Sequence, residues 1–441
     1  MAFVAVLSSA CSSSSDPVDA TPDARAVDEP AAQDSEQSSG IGSPSTTIAS
    51  LDADALAFEA SKEPEIESIP ESSGFDSDEP PPAMTPTNEP AVETTELSRL
   101  VDELILFVEQ ERGHRFSSRP EVVQLEGDAF TTAWNQLIRD DADRYAADYA
   151  EFTDIYRAMG VIDGSLTLEE IWQRFGDAGV VGYYEPGRQG IVLRAGAITP
   201  LTETILVHEL VHALDDQIFG IQREEYDDRD DEIGWTFSAL VEGSAGVIEE
   251  RYRNTLTRAE RDEERATQRA LPRTVSLSEF NASFLELQFG RYRYGEAFAA
   301  ALWDRGQSEI DETFENPPDT SEHVIDPEAH FSAELPDGAI ESPPADGQVF
   351  RSGVWGEAAW AAVFADVFGP SQGQTLADGW GGDRYVAWQS GATTCVRAHI
   401  EADTADALDK YATALEEWSR DAQGRDVFYP TADVVRVTAC A

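Results

Sequence analysis

The sequence predicts a helix-rich α+β domain behind a long low-complexity tail. Three observations carry that reading. Apolar residues recur at helical spacing over several long segments, whereas runs with strand character are short and flanked by turn formers. Residues 12 to 94 are rich in Ser, Pro, Asp, Glu, Ala and Thr and poor in aromatic side chains, so they cannot repay the entropy of ordering.

In chain order, Phe3, Val4, Val6 and Leu7 precede the small residues Ser8, Ser9 and Ala10 and then Cys11. Residues 1 to 11 resemble the end of a bacterial lipoprotein signal, which implies lipidation at Cys11, a membrane anchor and an extracytoplasmic or secreted location. Leu7 stands one place further from the cysteine than that pattern has it, and no basic residue precedes the run. Residues 12 to 94 then read as a disordered acidic linker.

Residues 95 to 255 are expected to form the core. An amphipathic helix over 96 to 113 closes at Gly113, and a short strand over 120 to 125 follows. Helical spacing runs from 128 towards 159, and again over 167 to 175. Asp140, Asp141, Asp143, Asp148 and Asp154 lack the glycine and spacing of a calcium loop and read as a solvated face. Val180 to Tyr184 and Ile191 to Arg194 flank Glu185-Pro186-Gly187-Arg188, which predicts a hairpin whose edge can accept an extended peptide. Residues 199 to 219 read as one helix, with Pro200 in its first turn and apolar side chains at Ile205, Leu206, Leu210, Val211, Leu214 and Ile218. A second long helix is expected from about Asp230 through Arg253, where Ala239, Gly243, Ala245 and Gly246 permit close packing.

Residues 256 to 441 are expected to be a mostly helical second part completing the cleft or the core. They comprise a polar helix or loop to 268, an aromatic helix over 276 to 303, an irregular stretch over 317 to 327 and an apolar helix over 355 to 369. A glycine-rich turn into a strand at 379 to 390, a further strand, a helix over 404 to 420 and a last strand at 433 to 440 complete the chain.

The formal net charge is −54, from 31 basic and 85 acidic residues, which excludes nucleic acid as a partner. Residues 1 to 96 account for −18 and leave −36 on the rest, so the folded part is itself acidic and suits high salt. Lysine occurs only at Lys62 and Lys410. Cys395 and Cys440, late in an exported chain, invite a disulfide.

The chemistry concentrates in His208-Glu209-Leu210-Val211-His212. A helix puts both histidines one turn apart on one face, within reach of one metal, and the chain has only six histidines. Glu209 lies beside the first and can accept a proton from a water held there. A catalytic site needs a third ligand, and Glu242 is the candidate: it sits among Leu240, Val241, Gly243 and Val247, where a buried acid needs a partner. One zinc per chain and a peptide or protein substrate follow.

This constellation resembles the gluzincin metallopeptidases, in which two histidines of HExxH and a glutamate from a downstream helix bind zinc and the intervening glutamate acts as base. The resemblance implies a zincin-like fold, with His208, His212 and Glu242 as ligands and Glu209 as base. The 29 residues between His212 and Glu242 exceed the thermolysin-like interval. Ala213 to Gln217, Gly182 to Pro186 and Gly379 to Tyr385 resemble a sparsely characterised bacterial branch instead. Tyr183, Tyr184, Tyr226, His323 and Arg384 have the chemistry of an oxyanion donor, and Asp215, Asp216 and Glu249 that of histidine orienters. Two other functions stay open: a non-catalytic surface lipoprotein stabilised by zinc, and a protein-binding module. The oligomeric state is not legible.

Overall fold

The computed structural model describes residues 95–227, 232–271, 275–332, 340–420 and 422–441; Cys11, the linker and the expected helix start at Asp230 lie outside them. The first elements are α1 (Thr95–Arg112), β1 (Glu121–Leu125), α2 (Gly127–Arg144), α3 (Ala146–Met159) and α4 (Leu168–Asp177). The hairpin β2 (Gly182–Glu185) and β3 (Gly190–Arg194) then leads into α5 (Pro200–Phe219). The helical spacing from 128 to 159 belongs to two helices, because Tyr145 leaves helical dihedrals with φ −115° and ψ 40°. Strand β3 pairs parallel with β1 and antiparallel with β2, so β2 is an edge of this three-stranded sheet.

Next come α6 (Glu224–Asp227), α7 (Ile233–Thr255), α8 (Arg258–Arg269), α9 (Ala282–Arg305), α10 (Gln307–Glu315), α11 (Ser321–Ile325) and α12 (Pro327–Ser332). The remainder is β4 (Gln348–Gly353), α13 (Glu357–Phe368), α14 (Pro370–Ala377), β5 (Trp380–Ser390), β6 (Thr393–Ala402), α15 (Ala405–Ser419), β7 (Arg425–Phe428) and β8 (Val435–Cys440). These five strands form an antiparallel sheet in the order β4-β5-β6-β8-β7. Cys395 and Cys440, opposite each other on β6 and β8, are joined by a disulfide. The whole is a helix-rich α+β fold of the zincin-like kind, with its metal site embedded among helices.

Two apolar cores lie on either side of the small sheet, and both draw on residues before and after position 255. Strand alternation sends Tyr183 into one, against Phe130 and Trp134, and Tyr184 into the other, with α1, α5 and α7. Helix α5 is specified at both ends. The Thr199 hydroxyl accepts from the Thr202 amide, Pro200 fills the first turn, and Gly220 at φ 68° ends the helix. Most of α5 and α7 is buried, so both helices run through the core. Helix α9 crosses α7 nearly backbone to backbone. A Cβ on Gly243 would collide with the Gly295 carbonyl, and one on Gly295 with that of Ala239.

Candidate active site

His208 and His212 project from the middle of α5 with ring centroids 4.6 Å apart, and Glu242 meets them from α7. The Glu242 Oε2 lies 3.2 Å from His208 Nε2 and 3.4 Å from His212 Nε2. Tetrahedral zinc at its usual bond lengths of roughly 2.0–2.2 Å holds ligand atoms roughly 3.3–3.5 Å apart. One ligand atom from each of the three residues lies within 4.8 Å of the other two, and all three residues are buried. The residues therefore fit a single zinc ion without rearrangement of the helices.

Their electrostatics is that of groups built to share a cation. Burial disfavours a charged His208, but hydrogen bonds to Glu242 and Glu249 outweigh it and raise its pKa well above the usual imidazole range. Burial likewise opposes ionisation of Glu242, and hydrogen bonds from His208 and His212 overcome it and hold the carboxyl low. Zinc binding must displace the shared proton, so its affinity falls in acid.

Three further groups brace the ligands. His208 Nδ1 donates to Glu249 Oε2 at 3.0 Å, which leaves Nε2 for the metal. Glu249 in turn pairs with Arg253, whose Nε also reaches Glu264 at 2.9 Å. On the opposite side Asp215 accepts from Ser244 Oγ and from Arg112 Nε, each at 2.7 Å. That buried network ties α1, α5 and α7 together.

Glu209 is different. It is fully buried, yet neither carboxylate oxygen completes a hydrogen bond, although the Tyr184 backbone amide is turned towards it. Burial pushes its carboxyl up to about 7, against the pull of His212 and His208. A carboxylate left in this condition beside a metal site is placed to exchange protons near neutral pH.

The other sequence candidates occupy varied places. The Tyr184 hydroxyl donates to Asp216 Oδ2 at 2.8 Å, and Asp216 Oδ1 accepts from the Ile221 amide at 3.0 Å. Tyr184 and Asp216, read from the sequence as a candidate oxyanion donor and a candidate histidine orienter, are partners of each other here. Tyr183, another candidate donor, has its ring buried by strand alternation among Phe130 and Trp134 on the far face of the sheet. Asp215 braces α7 through Ser244 and α1 through Arg112. The Tyr226 hydroxyl accepts from Arg223 Nη1 at 2.6 Å. His323 lies on α11 with its ring 6.0 Å from that of His330, and Arg384 lies on β5 opposite His399. Arg112, Ser244 and Tyr292, whose ring stacks beside His208 at 6.4 Å, escaped sequence reasoning. No motif marks them, and the first stands 103 residues from its partner.

No family model matches this chain, and neither a curated protein nor a solved structure matches it significantly. The assignment therefore rests on the geometry: His208, His212 and Glu242, with Glu209 between the histidines, form the zinc site typical of gluzincin metallopeptidases and the active site of a zinc-dependent peptidase.

Proposed function

We propose that the chain is an endopeptidase of extracytoplasmic peptides or proteins, tethered by lipid at Cys11 with residues 12–94 as spacer. The observation that carries the catalytic part is Glu209, a buried carboxylate between two ligand histidines whose oxygens lack complete hydrogen bonds. A purely structural zinc site has no use for such a group, which argues against the non-catalytic alternative.

When bound, zinc supplies Lewis acidity, acidifying a water and polarising the scissile carbonyl. Glu209 would take a proton from the attacking water as its oxygen bonds to the scissile carbon, and would return it to the amine nitrogen as the C–N bond breaks. Glu249 keeps the His208 ring from turning, and the Asp215–Ser244 bond holds Glu242's helix in register with α5.

Substrate alignment is assigned to β2. The bond from Arg194 N–H to the Val181 carbonyl at 2.8 Å sets the phase of its pairing with β3. Gly182 and Tyr184 therefore aim their N–H and C=O groups at the outer edge, with the Tyr184 amide towards Glu209, and an extended peptide adding there as a strand would lie beside the catalytic glutamate.

The location is supported by the Cys11 pattern and by the Cys395–Cys440 disulfide, a bond suited to an oxidising compartment. Kinship with the sparsely characterised bacterial branch rests on Gly182 to Pro186, Ala213 to Gln217 and Gly379 to Tyr385. Metal analysis of the full chain together with a broad peptide library tests the reading. About one zinc per chain is expected, with cleavage abolished by a chelator and restored by zinc; zinc-replete protein inert across the library would overturn it.

A further inference from the structure

A cavity of about 270 Å³ lies between α3, residues 221–226, the start of α7, the first half of α9, β4 and the start of α13. None of His208, Glu209, His212 and Glu242 lines it, so it is a site apart from the metal centre. It opens to solvent beside Glu224, whose side chain is 63% exposed. Three nearly buried side chains on its wall carry polar groups that meet no partner among the described residues. They are the Tyr385 hydroxyl, the Trp355 indole N–H and the Gln288 amide N–H groups, on residues 4%, 7% and 8% exposed. Of Gln288 only the carbonyl is used, by Arg291. A buried donor left unmet costs roughly 1–3 kcal/mol, so three around one cavity mark a wall shaped for a ligand that supplies the acceptors.

The rest of the lining narrows what that ligand is. Aromatic rings form much of the wall: Tyr156 and Tyr385 meet Trp355 edge-on at 6.0 and 5.9 Å, and Phe152 lies 5.6 Å from Tyr156. The charged side chains are already engaged. Arg351 is held between Asp148 and Glu151 at 2.6 and 2.7 Å, Arg223 donates to the Gly220 and Phe219 carbonyls at 3.1 Å, and Arg291 donates to Ser238 Oγ at 3.1 Å. Asp141 accepts from the Tyr149 hydroxyl, Glu232 from the Ser321 amide and the Thr320 hydroxyl, and Glu224 pairs with Arg144. A charged ligand therefore finds no counterion waiting, and a purely apolar one leaves the three donors unmet. A pyranose ring answers both demands. Its C–H face lies flat on an aromatic ring, and its hydroxyl and ring oxygens accept from the indole, amide and phenol. The volume falls below the roughly 300–1,000 Å³ of pockets for drug-sized ligands and suits one such ring.

We propose that this cavity binds one neutral pyranose sugar ring, free or at the end of a glycan. The proposal does not depend on the peptidase reading, since neither zinc nor cleavage enters its test.

The probes are glucose, galactose, mannose and N-acetylglucosamine, each free and as its methyl glycoside, with glucuronate, glucosamine and phenol as controls. Binding to the full-length protein is read by saturation-transfer NMR and by tryptophan fluorescence, because Trp172, Trp235 and Trp355 line the cavity. At least one neutral sugar is expected to saturate below about 10 mM and to bind at least tenfold more tightly than each control. Equal affinity for the glycoside assigns the site to a glycan end, and loss with the glycoside assigns it to a free sugar; both support the proposal. Tyr385→Phe, which removes one hydroxyl, is expected to weaken binding roughly three- to tenfold. Ala359→Phe, which fills the cavity from α13, is expected to abolish it. Tyr385→Phe carries the test if melting curves show that Ala359→Phe does not fold. Saturable binding of none of the sugars, phenol bound as tightly as the best of them, or an affinity unmoved in the folded variants overturns the site.

Discussion

Asp383 on β5 and Glu209 on α5 are both buried acids, and they differ in how many donors the fold gives them. Asp383 accepts from the Trp355 and Gly356 amides at 2.7 and 2.8 Å and from the Trp360 and Trp380 indoles at 2.9 and 3.0 Å. Glu209 has only the Tyr184 backbone amide turned towards it, and no side-chain donor. Glu232, at the start of α7, is intermediate, with the Ser321 amide at 3.1 Å and the Thr320 hydroxyl at 3.3 Å. Burial disfavours the charge in all three cases. Where donors are supplied, the acid fastens elements together. Where they are withheld, the stability forgone marks a group kept for chemistry.

The sharpest way to break this contrast is Asp383→Ala, which orphans four donors around the turn into α13 and is expected to cost roughly 3–5 kcal/mol by denaturant unfolding. A loss within the scatter of surface substitutions would mean that donor supply does not measure structural weight here. Glu232 offers a pH test. Its folded pKa of about 8 lies above the ordinary 4.5, so the folded chain holds the proton more tightly and this contribution fades as pH rises towards 8. Between pH 6 and 8 wild type is expected to lose roughly 2 kcal/mol relative to Glu232→Gln. Parallel stability profiles for the two proteins would contradict the assignment. The smallest effect belongs to Glu249→Gln, which keeps a hydrogen-bonding group beside His208 but removes its charge. Zinc affinity is expected to fall about tenfold in chelator competition, with cleavage recovered at saturating zinc; unchanged affinity would show that Glu249 serves Arg253 alone.

The metal triad was legible in the sequence because its signals are local. The i, i+4 spacing of His208 and His212 fixes their shared face, and an acid among the apolar neighbours of Glu242 calls for a partner; the small residues expected to bring this helix to the histidines instead serve its crossing with α9 at Gly243 and Gly295. The roles of Asp215, Asp216 and Glu249 were not separable, since each is an acid on or near a metal-bearing helix. What separates them is distant or directional: Arg112 from α1 takes Asp215, Tyr184 takes Asp216, and α7 brings Glu249 to His208. Strand alternation similarly decided the fate of Tyr183 and Tyr184, which register alone could assign. Strands β4 and β7 and helix α14 went unread because each is short, at 6, 4 and 8 residues, and carries too little periodicity of its own.

The measurement that bears most directly on the central claim is a parallel assay of zinc content, melting temperature and peptide cleavage for wild type and Glu209→Gln. The account predicts equal zinc, a melting temperature at or above that of wild type, and cleavage lower by roughly 10²-fold or more. Undiminished cleavage by a folded, zinc-loaded Glu209→Gln protein would contradict it, as would a loss of stability like that expected for Asp383→Ala.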